Sequence, residues 1–375
     1  MIAMIDPSDF TPPYNQQLCN SLGVLDQKVI LFGSKPNLYS PVSFRYQPHF
    51  YRISERLRTL PKPLYLSIKG FEHSYNMQTL YWNLRNLQPK VIHFQWLPLP
   101  SLDRHFIPQH KKLAPTIMTV HDTQPFNGDP SNRLQVRGWL NSLSTFDHLI
   151  VHTVYSAEQL IRAGIDSAKI SIVPIGSMDV LPETFRAPDL ETKVILFFGN
   201  IKPYKGLDVL LRAVSQFEPE LRNSVEVYIY GRPIMDIEPM RRLAQQLGIG
   251  KQTYWNLRFI EDKEVPDIFA KANVVALPYR AIDASGVLTQ ALIYGRPVVA
   301  SRLGGLVDFI ENGSTGYLVP PENPEALSEA LKSILSDPQL QLKMAQSAYQ
   351  RAQNMPTWTQ IGKTTLDVYQ KASRY

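Results

Sequence analysis

Residues 197–206 read FFGNIKPYKG. A buried strand over 193–198 ends at Gly199, a short basic loop follows, and a helix starts near Gly206. Lys202 and Lys205 therefore sit where the carboxyl end of a strand meets the start of a helix. Backbone N–H groups and about half a unit of positive dipole charge converge there, which suits an anion. Two ammonium groups beside them would hold a diphosphate. Taken alone, the ten residues also fit an ordinary solvated turn.

Working outward, residues 277–301 repeat the pattern: LPYRAIDASGVLTQALIYGRPVVAS. A strand ends at Pro278-Tyr279, a polar loop follows, and Ser285-Gly286-Val287 opens a helix. Ser285 is suited to cap it, and Gly286 would let a ligand approach the backbone. The helix stops at Gly295 before Arg296-Pro297 and a new strand. Taken alone, this segment also fits plain strand–helix punctuation.

Short β-branched runs predict strands at 2–5, 28–33, 90–96, 116–121, 148–152 and 170–175. A second set falls at 193–198, 225–230, 254–260, 273–277, 297–300 and 316–319. Helices are predicted at 76–88, 132–145 and 156–163. In the second half they fall at 206–217, 239–247, 263–272, 285–294, 306–312, 324–335, 338–353 and 357–373. Strand–helix alternation means α/β, in two doubly wound Rossmann-like domains facing a cleft. The expected boundaries are 1–175, a polar linker 176–192, and 193–356, with the last helix, 357–373, able to pack back onto the first domain.

The 375 residues, 44% hydrophobic, can fill two cores, which excludes a disordered chain. Cys19 is the single cysteine, so no intrachain disulfide or Cys-based zinc site forms. No carboxylate spacing suggests a metal site. No leader-like or membrane-length apolar run is seen, and a cytoplasmic protein is expected. Residues 1–175 hold 17 Lys/Arg and 11 Asp/Glu, and all eight His; the rest holds 22 of each charge. The basic half could meet nucleic acid, an anionic membrane or an anionic substrate, or the excess could be chance.

Together, the two glycine-rich segments closely resemble the retaining nucleotide-sugar glycosyltransferases of GT-B fold, family four. The matching residues are Gly199, Lys205-Gly206, Pro278-Tyr279, Gly286-Val287, Gln290-Ala291 and Gly295-Arg296-Pro297-Val298. The spelling resembles a branch associated with polysaccharide and lipid-linked oligosaccharide assembly. The resemblance implies a nucleoside diphosphate sugar donor of UDP or GDP type, a saccharide or lipid-linked acceptor, and neither metal nor other cofactor. It places Lys205 and Lys202 on the donor diphosphate, with Lys202 replacing the family's Arg, usually found where Asn200 stands. The amides of Ser285, Gly286 and Val287 would cap the distal phosphate. Phe259 and Ile260, at a strand end, would hold the base with backbone hydrogen bonds. His121 would lie near the transferred sugar.

Two glutamates of the family pattern are missing. Their places hold Ile282 and Gln290. Gln290 can still hydrogen-bond a ribose, and Asp283 could take the sugar contact by a one-residue shift. The family's N-terminal Gly-Gly is replaced by residues 9–14, DFTPPY. The acceptor side would include Pro13, Tyr14 and His93, although a structural role fits His93 as well. Asp122 either orients His121 or caps a turn. Residues 44–70 mix six Lys/Arg with five aromatics, a combination that suits an anionic membrane surface or a solvated helix face. The rival classes are a GT-B epimerase, which needs no acceptor, or a phosphorylase, whose pyridoxal-phosphate lysine pattern is not found, and a basic nucleic-acid-binding protein. The last would need base-stacking modules that two doubly wound domains do not supply, so no nucleic-acid partner is expected.

Overall fold

Every residue of β1 (Ile2–Ile5) is buried, as a strand covered on both faces requires. In the computed structural model, which describes residues 1–125, 136–176 and 180–373, this strand sits centrally in a parallel sheet. Its companions are β2 (Val29–Gly33), β3 (Arg45–Pro48), β4 (Val91–Phe94), β5 (Thr116–Val120), β6 (His148–Val151) and β7 (Ile170–Ile172). The order is β3-β2-β1-β4-β5-β6-β7. A second parallel sheet holds β8 (Val194–Phe198), β9 (Glu226–Tyr230), β10 (Thr253–Asn256), β11 (Val274–Leu277), β12 (Val298–Ser301) and β13 (Gly316–Val319), in the order β10-β9-β8-β11-β12-β13. Both sheets are doubly wound, and both change direction beside their first strand.

The chain forms two compact units, Met1–Met178 with Pro356–Tyr375, and Asp179–Met355. In the first, α1 (Pro12–Val24) packs against the closing helix Trp358–Ala372. Gly362 lies so close that a Cβ there would meet Ser21 Oγ at 2.5 Å. In the second, the helices Leu207–Ser215 and Pro324–Leu335 cover one sheet face and Gly286–Ile293 the other.

Some elements differ from expectation. β3 went unread because its RYQP spelling belongs to an edge strand, half exposed and without an apolar run. The helix predicted at 76–88 is α2 (Lys62–Leu87), 26 residues long and opened by Pro63 in its first turn. β10 ends at Asn256, not at residue 260. A short helix, Pro219–Ser224, was missed. Residues 132–135 of one predicted helix and 177–179 of the predicted linker lie outside the described residues.

Candidate functional site

The second sheet reverses between β8 and β11, and ligands of open α/β sheets bind at the carboxyl ends of strands at such a point. Leu196 pairs with Val275, so Gly199 and Pro278 leave the sheet side by side. Gly199 (φ +90°) turns the chain, and its amide donates to Tyr230 O at 2.9 Å. Gly206 (φ +67°) ends the loop against the neighbouring strand: a Cβ there would lie 2.0 Å from Pro278 O. Only glycine fits that combination of dihedral and space.

These turns bury Lys205, which is 7% exposed. Its Nζ donates to Phe198 O at 3.1 Å and lies 5.5 Å from the Tyr279 ring centroid. Burial, reinforced by the charge of Lys202, pushes the ammonium pKa down to about 7. Lys202 is half-buried, with Nζ 5.8 Å from the Tyr204 ring centroid. The same space is bounded by the other helix start. A Cβ on Gly199 would meet Lys205 Nζ at 2.9 Å and Val287 Cγ2 at 3.3 Å. Ser285 caps Gly286–Ile293 by accepting from the Leu288 amide at 3.3 Å, and a Cβ on Gly286 would meet nothing within 4 Å. Lys205, Gly199 and the helix start at Ser285–Val287 are thus one cluster, able to receive an anion.

The other donor-side residues divide. Gln290 lies half-buried one turn beyond Gly286 on the same helix face. Asp283 is buried, and its carbonyl accepts from Gly305 at 3.0 Å. Phe259 and Ile260 are not at a strand end, because β10 stops earlier. Phe259 is 69% exposed, while Ile260 packs into the core.

Arg280 was missed. It donates to both Asp208 oxygens at 2.9 and 2.7 Å, to Glu322 at 2.9 Å and to Pro203 O at 3.0 Å. Its backbone amide bonds Tyr204 O at 2.7 Å. It thereby ties the Lys202–Lys205 loop to the β11 loop. Arg280 and Asp208 both stand in the two quoted or adjoining segments, but their pairing across 72 positions has no local signal.

In the first unit the carboxyl edge carries Asp6, Gln95, His121 and His152, which follow β1, β4, β5 and β6. His152 Nδ1 donates to Val173 O at 2.9 Å, which leaves Nε2 as an acceptor in the neutral ring. His121 Nδ1, 3.1 Å away, must donate to it. Burial, then the nearby His152 and His93, hold His121 well below the usual histidine range, and burial puts His152 at about 4. Gln95 Oε1 stands 3.1 Å from His121 Nε2, so neutral rings satisfy the chain when the Gln95 amide is turned over to present its NH2 to that nitrogen. Trp96 stacks on His121 at 5.5 Å and Tyr14 meets its edge at 4.8 Å.

Two acceptor-side expectations are corrected. His93 is fully buried between Tyr369 OH at 2.8 Å and Thr119 Oγ1 at 2.7 Å, so it is a core residue. Tyr14 is also buried, supporting His121 and not open to an acceptor, while Pro13 is exposed at the start of α1. The loop between β1 and α1 hides two further carboxylates. Asp9 (φ +49°) accepts from the Ser34 and Lys35 amides at 2.7 Å and from Tyr39 OH at 2.8 Å. Asp6 accepts from Asn15 Nδ2 at 2.7 Å; burial and the charge of Asp9 raise its pKa to about 7.

Among the described residues, no group of three or more His, Cys, Asp or Glu could hold a metal ion. No described helix is long and apolar enough to cross a membrane.

Residues 183–351 match the family described as glycosyl transferases group 1, and residues 98–175 match the N-terminal domain of glucosyltransferase 3-like proteins. A D-inositol 3-phosphate glycosyltransferase from Streptomyces avermitilis is 30% identical over 281 residues, which are 68% of this chain and 59% of that protein. Its counterpart in Nocardioides sp. is 28% identical, over 72% of this chain and 63% of that one. The chain thus spans about three fifths of the length of these curated relatives. Among solved structures, a sucrose-phosphate synthase from Thermosynechococcus elongatus superposes with TM-score 0.78 at 20% identity, covering 98% of both chains. HepE of Anabaena, solved with UDP and glucose, gives 0.74 at 18%, again over 98% of both. The sheet reversal, the two glycine-bounded helix starts and the family match coincide on one unit. Residues 183–351 are a glycosyl transferases group 1 domain, and the chain has the two-domain GT-B fold of these structural neighbours.

Proposed function

We propose that this protein transfers a glycosyl group, with retention, from a nucleoside diphosphate sugar to a hydroxyl of a saccharide or lipid-linked saccharide. The observation that carries this is the Lys205 ammonium, buried at the carboxyl end of β8 beside the start of Gly286–Ile293. The bond from the anomeric carbon to the diphosphate oxygen breaks, and its electron pair stays on the diphosphate. Lys205, Lys202 and the Ser285–Val287 amides hold the charge that develops there. The acceptor hydroxyl attacks the same face, and its proton passes to the leaving phosphate oxygen. No enzymic nucleophile is required.

Gln290 serves the ribose, Asp283 the sugar hydroxyls, and His121 the transferred sugar. The donor is of UDP or GDP type, with UDP favoured by HepE, whose structure holds UDP and glucose. The acceptor binds the first unit, and the reaction needs no metal. The protein works in the cytoplasm, with peripheral contact at an anionic membrane.

A thermal-shift screen with UDP, GDP, ADP and short DNA tests the reading. Stabilisation by one nucleoside diphosphate, unaffected by EDTA, is expected. Stabilisation by DNA alone would overturn it.

A further inference from the structure

Helix α2 is apolar on both sides. Its buried side presents His73, Asn76, Met77, Leu80 and Leu84 to the first unit. The opposite side presents Leu64, Phe71, Tyr75 and Trp82, which are 50%, 80%, 68% and 51% exposed. Their spacings of seven, four and seven residues put them on one stripe of a 3.6-residue helix. At 1.5 Å per residue the stripe runs about 27 Å. A soluble chain rarely leaves so continuous an apolar face in water without an occupant.

The charge around it says what the occupant is. Residues 44–87 hold seven Lys/Arg and two Asp/Glu, which is +5 of the chain's +6. Both acids are committed. Glu72 accepts the Ile53 and Ser54 amides at 2.7 Å each, and Glu55 is paired with Arg58 and, at 3.6 Å, with Lys69. Glu72 thereby fastens the segment bearing Arg52, Ile53 and Arg56, all exposed, to the side of α2. Lys62 and Arg85 are exposed towards its two ends. A second copy would bring one +5 surface against another. Leu64 and Ile53 add aliphatic surface that base stacking does not use. Tyr and Trp among cations suit the boundary between lipid headgroups and acyl chains.

We propose that the outer stripe of α2, with the 52–58 segment beside it, is a docking surface for an anionic lipid membrane. The proposal rests on the peripheral-membrane reading above and replaces its surface. Of the aromatics in residues 44–70, Phe50 and Tyr51 are buried. Phe44 and Tyr46 pack against a core cluster. The lipid-facing rings lie farther along, on α2.

The test uses the full chain with vesicles of phosphatidylcholine alone or mixed with phosphatidylglycerol. Co-sedimentation is expected with the anionic vesicles only. It should weaken as salt shortens the Debye length from ~30 Å at 0.01 M to ~8 Å at 0.15 M. Phe71→Ser/Tyr75→Ser/Trp82→Ser should lower partitioning at least about tenfold, with the melting temperature unchanged. Arg52→Glu/Arg56→Glu should lower it comparably. Tryptophan emission should shift to the blue on binding, and Trp82→Phe should remove most of that shift. If the parent chain ignores anionic vesicles at low salt, both the surface and the membrane reading are wrong. If it binds but the triple variant binds as well, only the surface is wrong. A dimer that the triple variant converts to a monomer, or equal binding to neutral vesicles, would also overturn the proposal.

Discussion

The two units carry polar residues on the carboxyl edge of the same kind of sheet, yet they were unequally legible. In the second unit the site is built from two runs, each contiguous in sequence. Gly199 to Gly206 and Pro278 to Val287 each run directly from the end of a strand to the start of a helix. In the first unit the edge is assembled one residue per strand, from Asp6, Gln95, His121 and His152. The same kind of fold therefore gives a site readable from motifs in one half and a network visible only in three dimensions in the other. The physical difference is the ligand each would serve. A diphosphate is bound by backbone amides and ammonium groups, which glycine-rich loops supply locally.

The sharpest way to break this contrast is at Lys205. Lys205→Ala should lower turnover by ~10²–10³ and weaken binding of the nucleoside diphosphate, because a preorganised cation is lost where charge develops. Steady-state rates and calorimetry check both. Unchanged affinity for every nucleoside diphosphate would mean that the loop is an ordinary turn.

A histidine pair sharpens the other side. His121→Ala should lower turnover by roughly 10² with nucleotide affinity nearly unchanged. His93→Ala should instead cost about 1–3 kcal/mol of stability, since Thr119 and Tyr369 lose a buried partner, and should leave the rate per folded molecule alone. Equal behaviour of the two variants would erase the distinction between cluster and core.

Arg280→Gln tests whether the two donor loops act as one. It leaves Asp208 and Glu322 without their guanidinium, at a site about a third exposed. Roughly tenfold weaker nucleotide binding is expected, with kcat less affected. An equal fall in kcat at constant affinity would place Arg280 in the chemistry itself.

The smallest effect belongs to Asp6. Its folded pKa is raised from 3.8 to about 7, so the folded chain binds more protons than the unfolded one between those values. Its contribution to stability is full below pH 3.8 and is lost as pH rises through about 7. Asp6→Asn should flatten the decline of the melting temperature between pH 5 and 8. A parallel decline in both proteins would show that Asp6 does not titrate in this range.

What the sequence conveyed follows the same division. β1 and the helices Pro324–Leu335 and Pro338–Gln353 were bounded correctly, because buried strands and Pro-opened helices leave contiguous signals; β13, an edge strand, was bounded by its own apolar run Gly316–Val319. β3 was not, because an edge strand needs no apolar run. Lys202, Lys205 and Ser285–Val287 could be named from spacing. The Arg280–Asp208 clamp could not, nor could the burial of His93, which depends on Tyr369 on a helix 276 residues away. The aromatics of residues 44–70 misled for a related reason. Periodicity within α2 separates its two apolar faces only once the helix is known to begin at Lys62.

The central claim is that a buried Lys205 receives the donor diphosphate, and proton uptake measures it directly. Burial and the charge of Lys202 lower the pKa of the free ammonium to about 7, so part of the population is neutral at that pH. A bound diphosphate would hold it fully protonated. Calorimetric titration of UDP at pH 7 in buffers of different ionisation enthalpy should therefore report proton uptake by the Lys205 site, with affinity falling as pH rises further. Lys205→Met should abolish that uptake. Tight UDP binding with no proton uptake, or with the same uptake in the variant, would contradict the account.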